Sequence, residues 1–301
     1  MRLLPTLILF LFLTVKLFAQ NDPLYNQYYF NQAMINPAYT GTHNVTNVTL
    51  LSRAQWTGIK GAPITQTLNA TSALKNERLG VGLLAINDRL GVNNNTEIQG
   101  AVAYKLVFPN SQLSFGMQGG MVNYRYDYND LNFEVVDQPI LEQRSNFTKP
   151  TIGAGVFFRT YKYYIGLSVP RMLNINIEDG VSTSTRYKRH AYLSGGIILD
   201  RVAAIKIKPS FLLRAVQGQP LALDLNASVL FKEVWWVGLS VRNFKAIGLN
   251  NQFEINDKFR VGYSYEMPFG ALSGTTFGTH EIMLSMDFEL FSRQLALRRY
   301  F

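Results

Sequence analysis

Apolar and polar residues alternate along most of this chain. In Leu221–Leu230, LALDLNASVL, the side chains of Leu221, Leu223, Leu225 and Val229 fall on one face, and Asp224, Asn226 and Ser228 fall on the other. That is the period of a strand with one apolar face. The split recurs with Phe259, Val261, Tyr263 and Tyr265 against Arg260, Gly262, Ser264 and Glu266. It recurs with Ile282, Leu284, Met286, Phe288 and Leu290 against Ser285, Asp287 and Glu289, and with Trp235, Val237, Leu239 and Val241 against Gly238, Ser240 and Arg242. About fourteen such runs fit between Val45 and Leu290, and no stretch there carries a helical period. The fold is predicted to be all-β, either a soluble sandwich or a closed membrane barrel.

Three features favour the barrel. With the first strand starting at Val45, the long connections 127–148, 171–186 and 268–280 all join an odd strand to an even one. The even-to-odd connections are read as tight turns at Pro109-Asn110, Thr160-Tyr161, Asp200-Arg201, Lys232 and Asn256-Asp257. Long loops at one rim and short turns at the other is the asymmetry of an outer-membrane barrel, and a sandwich has no reason to sort its loops by parity. The polar face mixes glycines (Gly153, Gly155, Gly166, Gly196, Gly238, Gly262) with both signs of charge: Arg53, Arg159, Lys206, Arg214, Arg242 and Arg260 against Glu97, Asp224, Glu254 and Asp287. This suits an enclosed polar lumen. Trp56, Tyr104, Phe108, Tyr163, Trp235, Phe259 and Tyr265 lie near strand ends, where aromatic girdles meet lipid headgroups. The expected architecture is a transmembrane antiparallel β-barrel of about fourteen strands over 44–291, with an N-terminal plug or rim segment.

The ends of the chain fit an exported protein. MRLLPTLILFLFLTVKLFAQ carries Arg2, an apolar run from Leu3 to Val15 and a small residue at Ala19. The run is shorter than the roughly 20 residues that span a bilayer as a helix, so 1–19 reads as a signal peptide. Residues 20–43 then form a periplasmic or plug segment, and 292–301 a short basic periplasmic tail, in an outer-membrane protein with both termini in the periplasm. Cysteine is absent, which excludes a disulfide framework, thiolate metal sites and a cysteine nucleophile. The formal net charge of +9 is scattered, and two of its basic residues, Arg2 and Lys16, lie in the leader; no stripe points to nucleic acid. A mean hydropathy of +0.00 with 47% hydrophobic and only 16% charged residues is what strict alternation produces.

Enzymatic chemistry is not indicated, and neither a cofactor nor a metal is expected. His43, His190 and His280 are far apart in sequence and lack partners at catalytic or ligand spacing. His190 with Ser194 is the one pair that resembles a hydrolase arrangement, and nothing in the sequence orients it. The acidic NINIEDG at 174–180 reads as a polar loop rather than a Ca²⁺ site. The Asn-x-Thr triplets at Asn44, Asn47 and Asn69 read as polar wall positions.

The stretch from Asn26 to Gly41, NQYYFNQAMINPAYTG, fits neither period. Tyr28, Tyr29, Phe30, Met34 and Ile35 need burial; Asn26, Asn31 and Asn36 need hydrogen-bond partners; and the Asn36-Pro37 step favours an extended or turn backbone. An interior plug or rim-packing segment, starting at the short-turn rim, meets these needs. Of the long loops, 127–148 is the most apolar, with Leu131, Phe133, Val135, Val136, Ile140 and Leu141 set among acids. That is the composition of a partner-binding surface.

INPAYTG at 35–41, RAQWTGIKGAPITQTLNA at 53–70, KPSFLLRAVQGQPLALDLNASVLF at 208–231, FRVGYSYE at 259–266 and HEIML at 280–284 resemble, in that order, the PorP/SprF family of the type IX secretion system. These are outer-membrane barrels of Bacteroidota. The resemblance runs from about Asp22 to Leu290. It implies a non-enzymatic component of protein export and gliding motility. It further implies one of two roles: an SprF-like partner of a secreted adhesin and its C-terminal export domain, or a PorP-like core subunit working with other secretion components and a periplasmic peptidoglycan-binding protein. The alternative reading is an outer-membrane channel for a small or hydrophobic solute.

Overall fold

A computed structural model describes residues 25–74, 77–126, 146–173, 175–178, 183–187, 189–202, 205–290 and 300. Its strands are β1 (Thr46–Ala54), β2 (Ile64–Ala73), β3 (Leu79–Leu90), β4 (Asn93–Val107), β5 (Ser111–Tyr126), β6 (Asn146–Thr160), β7 (Tyr163–Val169), β8 (Ile175–Glu178) and β9 (Thr183–Tyr187). They continue with β10 (His190–Ile197), β11 (Leu199–Val202), β12 (Ile205–Val216), β13 (Ala222–Phe231), β14 (Trp235–Arg242), β15 (Ala246–Glu254), β16 (Phe259–Pro268) and β17 (Thr279–Phe288). Among the described residues no helix is long and apolar enough to cross a membrane.

Each wall strand pairs antiparallel with its neighbour, and two further pairings close the ring. β1 meets β17 from Thr46↔Phe288 to Ala54↔His280, and β10 meets β12 from His190↔Val216 to Gly196↔Ser210. The result is a closed barrel of fourteen strands, which leaves no sheet edge. β8 and β9 form a separate hairpin within the connection between β7 and β10. The turn read at Asp200-Arg201 is displaced. Leu199–Val202 forms β11 against β12, and the preceding Ile198 is buried, its N–H donating to the Lys162 carbonyl at 2.6 Å.

Burial across the wall is inverted relative to a water-soluble protein. Met117, Met121 and Leu239 are 71%, 63% and 58% exposed on the outer face, whereas Glu281, Ser264 and Asn250 are 0% exposed on the inner one. Such a wall is stable only where the surrounding solvent is apolar, which is the condition inside a bilayer. Aromatic rings flank this apolar band. At the short-turn rim Trp235 stacks on Phe253 with ring centroids 5.2 Å apart and lies 5.8 Å from Phe231.

Connections 55–63 and 269–278 emerge at one rim, where β5 and β7 also end, and 108–110, 161–162, 232–234 and 255–258 at the other. β1 begins and β17 ends at the short-turn rim. The lumen between the rims is filled from within by residues 25–42, nearly all of them buried.

The direction of that segment corrects the sequence reading. Rather than starting at the short-turn rim, it starts in the half of the lumen nearer the long loops. There the Tyr25 hydroxyl lies 2.6 Å from Thr67 Oγ1, and Asn26 meets Glu281, two residues from the long-loop end of β17. It then descends to the short-turn rim, where Gly41 and Thr42 meet Lys105 and Arg159 just before β1 begins. Sequence patterning fixes what needs burial but not the direction of entry, which depends on contacts 42 and 255 residues away along the chain.

Candidate functional site

The segment is built from three 3₁₀ turns, Asn26–Tyr29, Gln32–Met34 and Pro37–Tyr39. The last two share one local device. Asn31 Oδ1 accepts the N–H of Ala33 at 3.2 Å, and Asn36 Oδ1 accepts that of Ala38 at 2.9 Å. A side-chain amide that closes a turn on the backbone two residues ahead is what asparagine supplies before a short helix, and Pro37 presets the following dihedral. A five-residue recurrence, NQYYF-NQAMI-NPAYT over 26–40, underlies the three turns. It is a signal in the sequence that periodicities of two and 3.6 do not detect.

Wall strands hold the segment on all sides. Ser168 Oγ donates to the Ile35 carbonyl at 2.7 Å, Asn36 Nδ2 to the Val156 carbonyl at 3.0 Å, and Gln32 Nε2 to Tyr164 at 3.3 Å. Lys208 Nζ donates to the Tyr29 carbonyl at 3.1 Å, and Lys105 Nζ and Arg159 Nη2 donate to the carbonyls of Gly41 and Thr42. Two wall glycines set the closeness of approach. A Cβ on Gly116 would lie 2.3 Å from the Ala38 nitrogen, and one on Gly155 would lie 2.2 Å from Asn36 Oδ1. No larger residue fits there without moving the plug.

Placement of the expected plug residues is direct. Tyr28, Tyr29, Met34, Ile35, Asn36 and Pro37 are buried in the lumen, and Phe30 is half-buried beside Trp236, with ring centroids 6.3 Å apart. Burial pushes the phenols of Tyr25, Tyr28 and Tyr29 above the ordinary tyrosine range, so all three stay neutral. The expected partner-binding residues Leu131, Phe133, Val135, Val136, Ile140 and Leu141 lie outside the described residues.

A chain of charges crosses the inner wall beside the first turn. Arg53 Nη1 lies 3.2 Å from Glu281, Arg242 Nε lies 3.1 Å from Glu266, and Arg242 also approaches Asp224 at 3.9 Å. Asn26 joins this network through its backbone N–H on Glu281 and its Oδ1 on Arg242. Near the long-loop rim, Arg171 pairs with Glu97, and the Pro170 carbonyl accepts Gln118 Nε2 at 3.0 Å, so the start of that loop turns into the lumen.

Other candidate chemistry does not assemble. His190 and Ser194 face the same way on β10, but four residues of strand separate them by roughly 13 Å. His43 pairs with the Tyr39 hydroxyl at 2.7 Å, and His280 with that of Tyr263 at 2.8 Å. Among the described residues no group of three His, Asp or Glu side chains could hold a metal ion.

The fold resembles several solved outer-membrane proteins. The CymD monoaromatic hydrocarbon channel superposes with a TM-score of 0.50 at 10% identity, over 89% of this chain and 94% of that one. The Acinetobacter baumannii outer membrane protein Omp33 gives 0.47 at 13% identity over 83% and 100%, and the Ralstonia pickettii toluene transporter TbuX 0.48 at 9% over 85% and 93%. At such identities the likeness speaks to the barrel alone. No curated protein sequence matches the chain. The family model for the type IX secretion system membrane protein PorP/SprF matches residues 17–286, nearly the whole barrel together with its plug. The chain therefore belongs to the PorP/SprF family of type IX secretion system outer-membrane barrels.

Proposed function

We propose that this barrel is a non-enzymatic component of the type IX secretion and gliding machinery that holds or displays a secreted adhesin through that adhesin's C-terminal export domain, and that it does not conduct solute. The observation that carries this reading is the occupied lumen. Residues 25–42 fill it, and hydrogen bonds to β2, β6, β7, β12 and β17 fix them there. A barrel so closed offers surfaces rather than a passage.

In this reading residues 1–19 are a cleaved leader and 20–43 belong to the plug. The barrel spans 44–291, 292–301 form a basic periplasmic tail, and the long loops face outward from the cell. Docking of the adhesin centres on Leu131, Phe133, Val135, Val136, Ile140 and Leu141, with the Gly-rich connection 268–280 as a second wall. Core secretion subunits and a peptidoglycan-binding protein are the periplasmic partners. The test replaces 131–141 by a short Gly/Ser turn and measures capture of the export domain at the cell surface. Capture is expected to fall while the barrel still inserts. Unchanged capture overturns this docking site, and steady conductance of the intact protein in planar bilayers overturns the closed lumen in favour of a channel.

A further inference from the structure

Beneath the plug, in the half of the lumen nearer the short turns, lies a cavity of about 30 Å³ lined by Lys208, Arg260, Asn31, Asn47, Gln252 and Trp236 among others. Lys208 is 1% exposed. Its ammonium has three N–H groups; one donates to the Tyr29 carbonyl, and the nitrogen sits 5.0 Å and 4.7 Å from the ring centroids of Phe30 and Trp236. Most cations of the inner wall meet a carboxylate: Arg53 meets Glu281, Arg171 Glu97, Arg242 Glu266, Arg260 Asp287 and Lys206 Glu233. Lys208 meets none among the described residues, and it also faces a cavity.

A desolvated ammonium with one carbonyl and two ring faces is short of negative charge. The polar groups around the cavity include the Arg260 guanidinium, which pairs with Asp287, and the amides of Asn31, Asn47 and Gln252 with the hydroxyls of Thr49 and Ser285, which can each donate or accept. The space admits one small ion or about two waters and is far below an organic ligand's volume. We propose that this cavity binds a small monovalent anion, a halide in chemistry and size, as the counter-ion of Lys208. The ion ties the Tyr29 turn of the plug to β12 and β16. This site is independent of whether the barrel displays a partner.

The experiment uses the full-length protein in detergent and follows its unfolding midpoint by heat-modifiable migration, in chloride against gluconate at equal ionic strength. Gluconate is too large for the cavity. The midpoint is expected to rise saturably with chloride, bromide is expected to substitute for it, and Lys208→Met is expected to abolish the dependence. Equal midpoints in chloride and gluconate overturn the proposal by leaving the cavity to water. A chloride dependence that survives in Lys208→Met overturns it by moving the ion elsewhere. If that variant does not insert, the saturable chloride response of the wild type and anomalous scattering from bromide at the cavity decide the matter.

Discussion

Both carboxylate oxygens of Glu281 lie 2.8 Å from the backbone nitrogen of Asn26, so the last strand of the barrel holds the first turn of the plug. The N–H of Gln27 reaches the same carboxylate at 3.1 Å, and Arg53 approaches it from β1 at 3.2 Å. A fully buried charge thus gains two kinds of donor, backbone and guanidinium, at the seam where the barrel closes.

Replacing Glu281 by Gln removes the nearer of the two carboxylates that Arg53 faces, Glu266 lying 4.0 Å away, and weakens the hold on Asn26. Breaking one side of a buried pair costs about 3–5 kcal/mol, largely through the partner left uncompensated. The heat-modifiable transition of Glu281→Gln is therefore expected well below that of the parent. A double variant, Arg53→Met with Glu281→Leu, is expected to recover most of the loss. A double variant no more stable than the single would mean that the anchoring of Asn26, rather than the ion pair, dominates.

Gly116→Val tests the closeness of the plug to its wall. The Cβ of the new side chain would lie 2.3 Å from the Ala38 nitrogen, a backbone atom that cannot yield without moving its turn. The barrel ladder does not require that glycine, so insertion is expected to persist while the plug loosens. The chain has no cysteine, so a single cysteine placed at Tyr29 reports on this directly. It is expected to react slowly with a small thiol reagent in the parent and about tenfold faster in Gly116→Val, the ratio that corresponds to about 1.4 kcal/mol of destabilised packing. Equal rates would place Tyr29 beyond the influence of that wall.

The wall was legible in the sequence and the plug's path was not, for physical reasons visible at particular residues. Alternation alone assigned Asp224, Asn226 and Ser228 to one face and Leu223 and Leu225 to the other, because a strand has no freedom in where successive side chains point. Loop parity followed from counting the same runs. In 26–41 the composition demanded burial. The contact of Tyr25 with Thr67 and that of Asn26 with Glu281, by contrast, are fixed only once the ring has closed. Gly116 and Gly155 give no local sign that they receive Ala38 and Asn36, since a glycine in a strand has many possible reasons. The break between β10 and β11 was invisible for a related reason: the Ile198 N–H there reaches the Lys162 carbonyl, in a different turn of the barrel.

Asn36 carries more than its turn. Its Oδ1 caps the Ala38 N–H while its Nδ2 donates to the wall carbonyl of Val156. Loss of such a cap typically costs about 1 kcal/mol, and leaving a buried carbonyl unpaired adds about 1–3 kcal/mol. Asn36→Ala is therefore expected to lower the unfolding midpoint more than Asn31→Ala, whose longer contact to Asn69, 3.4 Å, is the weaker one. Equal effects in the two variants would show that the turn alone, and not its bond to the wall, stabilises the plug.

Deletion of 26–41 separates the barrel from its filling. The β1–β17 seam runs from Thr46 to Ala54 and uses no residue of the plug, so the ring retains every wall-to-wall ladder and is expected to insert. The lumen it leaves is lined by the pairs Arg53 with Glu281 and Arg242 with Glu266 and Asp224, and by Lys208. These charges lose the backbone groups that covered them and regain solvation only if water enters. A water-filled lumen conducts, so planar bilayers containing the deletion variant are expected to show steady open conductance where the parent shows none. Single-residue loosening, as in Gly116→Val, is expected to give brief openings instead. An inserted deletion variant that remains closed would mean that other elements, such as the inward turn at Pro170 and Arg171, suffice to seal the mouth. The plug would then be a scaffold for the wall rather than the closure of the lumen.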